Sequence, residues 1–374
     1  MQKSNLLLIG ICLSFPGLVF AEETTSTVSN LKFSGYLDGS YNYLLNSNQF
    51  ISGTNNRVYD LEPNGFTLQQ GAITVAYQPP QGLGGLLNIV GGRDASTIAS
   101  YGFKPTSEFD SQTFAFDLTQ AYLQYAVNKF TFIGGKFVTI VGAEVFDPTQ
   151  DTNFSRAILD GYAEPTTLTG LRGTYAANDK INVFLGINNG WDNIRDWSRN
   201  KTIELGTSVT VNSVLSFSAT GYTGQERATP ATDFGPEGIR NLIDLVATIN
   251  ATEKLTFVAN YDYGWQTNAA LPAGNFAEAV WTGIAGYANY KFTDKWQTSL
   301  RGEIFDDRNG YRTGVPQCWK EATLSVGYTP IKNLELRAEI RHDYSNVASF
   351  IDKNGVNTSH NQQSYALEGL YKFG

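Results

Sequence analysis

Leu334-Glu335-Leu336-Arg337-Ala338-Glu339-Ile340-Arg341-His342-Asp343-Tyr344 decides the fold. Its even positions Leu334, Leu336, Ala338 and Ile340 are apolar, and its odd positions Glu335, Arg337, Glu339, Arg341 and Asp343 are all charged. Successive side chains of an extended strand point to opposite faces, so this strand has one oily face and one ionic face. A soluble sandwich packs the oily face inside and leaves the charges in water. A transmembrane barrel reverses the arrangement, with lipid outside and water inside. An Arg or Lys at the lipid midplane of a barrel costs about 2–4 kcal/mol and an acid less, so presenting these five charges to lipid would cost on the order of 10 kcal/mol. That is comparable with the whole stability of a typical domain, so the facing is firmly set.

The same beat runs along the chain. Alternating stretches fall near 32–43, 66–77, 85–93, 117–127, 129–139, 167–176, 180–190, 202–211, 214–223, 239–249, 254–265, 280–292, 295–305, 320–329, 333–344 and 363–373. The reading gives sixteen strands, with fourteen and eighteen as its neighbours. The gaps alternate between short ones rich in Asn, Asp, Gly and Pro, such as Asn212-Ser213 and Pro330–Lys332, and long polar ones, such as 140–166. The short gaps suit tight hairpins. An up-and-down barrel with both termini in the periplasm needs an even strand count, short turns on the terminal side and long loops on the other. A Greek-key sandwich has no reason to sort its loops by parity. Facing agrees elsewhere: Leu255, Phe257, Ala259, Tyr261, Tyr263 and Trp265 oppose Lys254, Thr256, Asn260 and Asp262, and Ile203, Leu205, Val209 and Val211 oppose Thr202, Glu204, Ser208 and Thr210. Aromatics gather near strand ends, among them Tyr77, Tyr175, Phe217, Tyr222, Trp265, Phe292, Trp296, Trp319, Tyr328 and Tyr344. Amphipathic rings there belong at lipid–water boundaries.

The expected class is therefore all-β, a transmembrane up-and-down antiparallel barrel. Residues 1–21 read as an export signal: Lys3, the short apolar run Leu6–Leu13, and Val19-Phe20-Ala21 before the cleavage point. Residues 22–374 would be the barrel. Ile11 is too large to precede a lipidated Cys12, and the only other cysteine is Cys318, so no disulfide is expected in the mature chain. No run of 18 apolar residues is present for a spanning helix. The formal net charge of −8 excludes a nucleic-acid-binding reading. Tyr365, Leu367, Gly369, Tyr371 and Phe373 alternate with Ser364, Glu368 and Lys372, a closing strand of the kind the barrel assembly machinery reads, displaced one residue by Gly374.

Gly135-Lys136-Phe137 at the end of the fifth strand, Phe154-Ser155-Arg156 in the following loop, and Pro165 with Thr169-Gly170 opening the sixth strand complete the pattern. With these motifs the chain resembles the OmpL-like outer-membrane β-barrel porin family over most of its mature length. The resemblance implies a bacterial outer-membrane pore and carries no catalytic residues.

The candidate pore-lining residues, taken by parity, are Arg172, Arg301, Glu303, Glu335, Arg337, Glu339, Arg341 and Asp343, and Lys136 joins them although Phe130 and Phe132 share its parity in a poorly alternating strand. A side chain of this kind either sets selectivity at the narrowest point or simply solvates the interior and pairs across strands. The loop 140–166 carries Glu144, Asp147, Asp151, Arg156 and Asp160, with an apolar patch of Phe154, Ala157, Ile158 and Leu159. Folded inward, it would constrict the pore and set its acids against Lys136 and Arg172; otherwise it is a solvated outer loop. Asn153-Phe154-Ser155 is the expected start of a helical turn. The eyelet so formed would prefer cations weakly.

Enzyme chemistry finds little support. A barrel phospholipase needs a His-x-Ser pair on the lipid face, and Tyr344 stands two residues after His342. Two histidines and one mature cysteine do not make a zinc site, and Asp306–Gly310 and Asp147–Asp151 lack the full calcium-loop pattern. No metal or cofactor is expected. The expected function is passive diffusion of small hydrophilic solutes or ions; the alternative is a surface-exposed structural or adhesin barrel without an open pore. Expected partners are outer-membrane lipid and lipopolysaccharide, the assembly machinery and the solutes, with no nucleic acid. Association as a homotrimer stays open.

Overall fold

The computed structural model describes residues 31–45, 56–101, 115–198, 200–227, 236–352 and 357–374. The export signal at 1–21 and Cys12 lie outside the described residues. The strands are β1 (Leu31–Leu44), β2 (Gly65–Tyr77), β3 (Gly82–Gly92), β4 (Ala115–Val127), β5 (Phe130–Val138), β6 (Thr167–Asn178), β7 (Ile181–Asn188), β8 (Thr202–Thr210) and β9 (Leu215–Arg227). They continue as β10 (Glu237–Asn250), β11 (Leu255–Ala270), β12 (Phe276–Lys291), β13 (Trp296–Asp307), β14 (Gln317–Ile331) and β15 (Leu334–Ser345). A small ribbon, β16 (Phe350–Ile351) with β17 (Asn357–Ser359), precedes the last strand, β18 (Asn361–Phe373). Each barrel strand pairs antiparallel with its neighbours, and β18 returns to β1, so β1–β15 and β18 close a barrel of sixteen. Every one of the sixteen alternating stretches is a strand.

The short connections fall at the end where β1 starts and β18 finishes. Two of them turn on Asn128 and Asn333, whose φ values are 54° and 71°; Asn tolerates this left-handed region and suits tight hairpins. The long connections lie at the other end, and two of them carry helices, α1 (Ala95–Ile98) and α2 (Ile158–Tyr162). The sequence places a helical turn at Asn153; the structure starts it later, after Ala157.

Alternation sorts the faces as the sequence requires. Along β15, Leu336, Ala338, Ile340 and Tyr344 are exposed, while Arg337, Glu339, Arg341 and Asp343 are buried in the interior. Leu205, Phe257, Ile284, Leu324 and Leu336 belong to an exposed apolar surface contributed by every barrel strand. So continuous an oily belt is a lipid-facing surface rather than the face of a soluble monomer. Ring pairs border it. Trp296 stacks on Tyr328 at 4.4 Å and Phe130 lies 4.8 Å from Tyr175 near the short-turn end, and Tyr263 lies 5.5 Å from Trp265 towards the other. Two aromatics do not join the girdles: Trp319 and Tyr222 point inward and are buried.

Strand β5 shows how the facing can be switched. Phe130 and Phe132 are exposed, yet Lys136, of the same parity, is buried. Gly135 lies between, with φ 139°, and a Cβ there would sit 2.2 Å from the Ala121 carbonyl oxygen. The glycine lets the strand end leave its regular pleat, and Lys136, Phe137 and Val138 all become buried.

Candidate functional site

The chain between β5 and β6 lies inside the barrel. Its backbone is held there by charged side chains from the wall. Glu339 of β15 accepts from two consecutive backbone N–H groups, Phe154 at 2.8 Å and Ser155 at 3.1 Å. Glu303 of β13 does the same for Ile158 at 2.7 Å and Leu159 at 3.0 Å, the first groups of α2. Free N–H groups at a helix start favour a carboxylate. Arginines take the carbonyls. Arg301 donates to Ser155 O at 2.6 Å, Arg341 to Arg156 O at 2.6 Å, and Arg337 to Asp151 O at 2.7 Å. The alternating charges of the wall thus match the alternating donors and acceptors of an extended loop.

Each arginine is also neutralised. Arg301 meets Glu144 at 2.6 Å and Glu321 at 2.9 Å. Arg337 meets Glu335 at 2.9 Å and Glu368 at 3.1 Å. Arg341 meets Asp343 at 2.8 Å, and Asp343 also receives Arg57 at 2.5 Å and the Trp319 indole N–H at 3.1 Å. Such pairs withstand burial because every charge has both a counter-charge and hydrogen bonds.

The loop packs as well as bonds. Val141, Ile158, Leu159 and Ala163 join Phe137, Leu168, Trp191, Leu242, Trp281, Phe305, Trp319 and Phe350 in one apolar cluster inside the barrel. A second cluster unites Tyr36, Tyr59, Ala72, Val90, Ala95, Ile98 and Ala115 around α1. Below the loop, towards the short turns, is a cavity of about 170 Å³. The limb Thr139–Val145 forms one side of it, and Thr248, Thr256, Asn289 and Gln297 are on the other. The family model described as "Putative beta-barrel porin-2, OmpL-like" matches residues 30–373.

The chain belongs to this porin family.

The porin sits in the bacterial outer membrane, as its family and its lipid-facing belt require. No curated protein sequence matches it. Solved structures share its fold. The outer membrane channel DcaP of Acinetobacter baumannii superposes with a TM-score of 0.62 at 12% identity, over 92% of this chain and 97% of that one. OmpT, an outer membrane protein of Vibrio cholerae in trimer form, gives 0.60 at 14% identity, over 92% and 99%. An anion-selective porin from Comamonas acidovorans gives 0.57 at 11% identity, over 92% and 99%.

The porin brings most of the wall residues singled out in the sequence, Arg301, Glu303, Glu335, Arg337, Glu339, Arg341 and Asp343, together against or beside the loop. Lys136 and Arg172 stand apart. The loop acids do not face them: Lys136 pairs with Asp117 at 3.0 Å, and Arg172 pairs with Glu204 at 2.9 Å and lies 4.4 Å over the Phe137 ring. Acids on nearby strands compensate them first, Asp117 on β4 next to β5 and Glu204 on β8, one strand beyond β7. Of the loop residues, Glu144 meets Arg301, Asp151 meets Arg156 at 2.6 Å, and Asp147 caps its own turn through Thr149 N at 2.9 Å. Burial pushes the Asp160 carboxyl up to about 7, with Arg156 pulling it down. Arg57 lies in a loop with no periodicity to mark it. Trp191, over which Arg240 and Arg312 sit at 5.0 and 5.5 Å, is equally silent in sequence.

Proposed function

We propose that this protein is a passive channel for small hydrophilic solutes or ions, narrowed by the loop 140–166. One observation carries the reading: the loop backbone is bonded inside the barrel by glutamates and arginines of β13 and β15. That is a built constriction rather than a collapsed surface loop. The permeation route is the gap between the limb Thr139–Val145 and the wall of β9–β13, where the cavity lies. Its preference is weakly for cations. The paired loop acids do not supply it; the excess of acids over bases, a formal net charge of −8, does. The likeness to an anion-selective porin, at 11% identity, concerns the fold alone.

Planar-bilayer recording of the refolded mature protein tests this. Expected are discrete steps and a reversal potential of cation sign under a salt gradient. Clear anion preference would remove the selectivity reading. A folded barrel that never conducts would favour the second reading, a structural or adhesin barrel, for which the apolar cluster filling much of the interior speaks. The remaining assignments rest on sequence and family: a signal removed after Ala21, insertion by the assembly machinery beside lipopolysaccharide, and no catalytic activity. Assembly into trimers is a further expectation, in keeping with the trimer form of the Vibrio cholerae protein.

A further inference from the structure

Glu164, Asp244 and Asp262 converge inside the barrel where the loop 140–166 returns to the wall. One carboxylate oxygen from each lies within 4.8 Å of the others. Their residues are 4%, 0% and 0% exposed. Asp244 of β10 and Asp262 of β11 are direct cross-strand partners, an arrangement in which like charges repel. Elsewhere in this wall such neighbours have an arginine between them. Glu303 opposes Glu321 beside Arg301, and Glu321 opposes Asp343 beside Arg341. Here none of the three forms an ion pair among the described residues. The next charged neighbours, Asp160 and Glu303, are themselves acids.

The oxygens are left unused as well. Both of Asp262, Oδ1 of Asp244 and Oε1 of Glu164 are buried and meet no N–H or hydroxyl donor. Only Asp244 Oδ2 is engaged, by Asn260 at 2.7 Å and Gly142 N at 3.3 Å. Uncompensated buried carboxylates are costly, and a fully buried Asp with both oxygens turned to two other acids points to a missing positive partner. The backbone makes room for the arrangement. Gly142 has φ 89°, and a Cβ there would lie 2.2 Å from Glu164 Oε2.

We infer that Glu164, Asp244 and Asp262 bind one calcium-sized divalent cation that clamps the loop to β10 and β11. Calcium takes oxygens at about 2.3–2.6 Å, so ligands on opposite sides of one ion lie about 4.6–5.2 Å apart, which matches the spread of the triad. Four free carboxylate oxygens supply much of its shell, and water supplies the rest. Magnesium sheds its water reluctantly and fits a buried carboxylate cage less well. The cation joins residues far apart in sequence, and the site stands whether or not the barrel conducts.

The test uses the full mature chain, refolded in detergent and stripped with chelator. Calcium alone is titrated calorimetrically. Terbium luminescence is read in parallel, excited through Trp281, whose indole donates to the carbonyl of Ala163, next to Glu164. Expected are one ion per chain, a raised melting temperature with calcium, and at least tenfold weaker binding in Glu164→Gln and in Asp262→Asn. Asp306→Asn, on the exposed outer end, controls for metal held by surface acids and should bind as the parent does. Gly142→Ala should weaken binding through displacement of Glu164. Glu164→Gln lies in the loop and leaves the strand ladder intact, so it decides if Asp262→Asn fails to fold. Absence of saturable binding up to about 10 mM, beyond the range of extracellular calcium modules, overturns the proposal. So does undiminished binding in Glu164→Gln, or a melting temperature indifferent to chelator and calcium, which would mean that the triad holds protons instead.

Discussion

Glu339 illustrates how one wall residue holds an element far away in sequence. Its two oxygens engage Phe154 N and Ser155 N, and Oε2 also accepts from Ser325 Oγ at 2.7 Å. Replacement by Ala leaves two buried N–H groups without acceptors. Hydrogen bonds to a charged group contribute about 1.5–3 kcal/mol each, so Glu339→Ala should destabilise the protein by about 3 kcal/mol, read by chemical unfolding in detergent. Single-channel conductance should rise at the same time, because the loop is freed at its middle. Asp160 gives a pH dependence. Its carboxyl is raised from 3.8 to about 7, so it binds more protons in the docked loop than in an open one between those values. Docking therefore keeps its full stability below that window and loses it as pH rises through it. Conductance should be lower near about pH 5 than near about pH 8, and Asp160→Asn, neutral throughout, should flatten the difference. Burial likewise raises the Asp151 carboxyl while Arg156 pulls it down, so a residual slope of the same sign is expected in the variant.

At the scale of the element, alternation made the strands legible. It also carried more than position did. Trp319 shares the parity of Glu321 and Thr323, and Tyr222 that of Ser218 and Thr220; parity places both inward, where they are, although their nearness to strand ends suggests a girdle. The exception, β5, breaks parity at Gly135, and this gives the Gly135-Lys136-Phe137 motif a physical meaning. The glycine turns the strand end inward, Lys136 reaches Asp117, and Phe137 lies under Arg172. What the sequence did not reveal is where the loop docks. An irregular segment has no period, and its partners on β10–β15 are more than 100 residues away. The three acids at Glu164, Asp244 and Asp262 stayed hidden for the same reason: two are cross-strand neighbours by register and the third arrives from the loop. The facing of β15 yields a direct test. Leu336→Arg, on the lipid side, should lower stability in lipid vesicles by about 2–4 kcal/mol if it lies at the midplane. Leu336→Ala should cost less, and a spin label at position 336 should be quenched from within the bilayer.

For the whole molecule, two structures are nested: a closed ladder of strands, and a polar and apolar core that the loop forms inside it. The ladder closes through β1 and β18 without any help from the loop. The loop, by contrast, depends on the wall at every anchor, because its backbone N–H and C=O groups are far from bulk water and have to find partners there. The two should therefore separate under mutation. Replacing 145–163 with a short Gly-Ser linker should leave a barrel that still inserts and still shows heat-modifiable mobility on gels. Wall charges would remain, but Arg301, Arg337 and Arg341 would lose their carbonyl partners, and water would enter beside them. Glu303 and Glu339 would be exposed in equal measure, so the wall that appears is mixed in sign. Conductance should rise several-fold, the pH response should fade, and selectivity should weaken rather than reverse. A shortened protein with unchanged conductance would mean that solutes pass elsewhere, and that the packed loop serves the barrel's stability instead of its permeability.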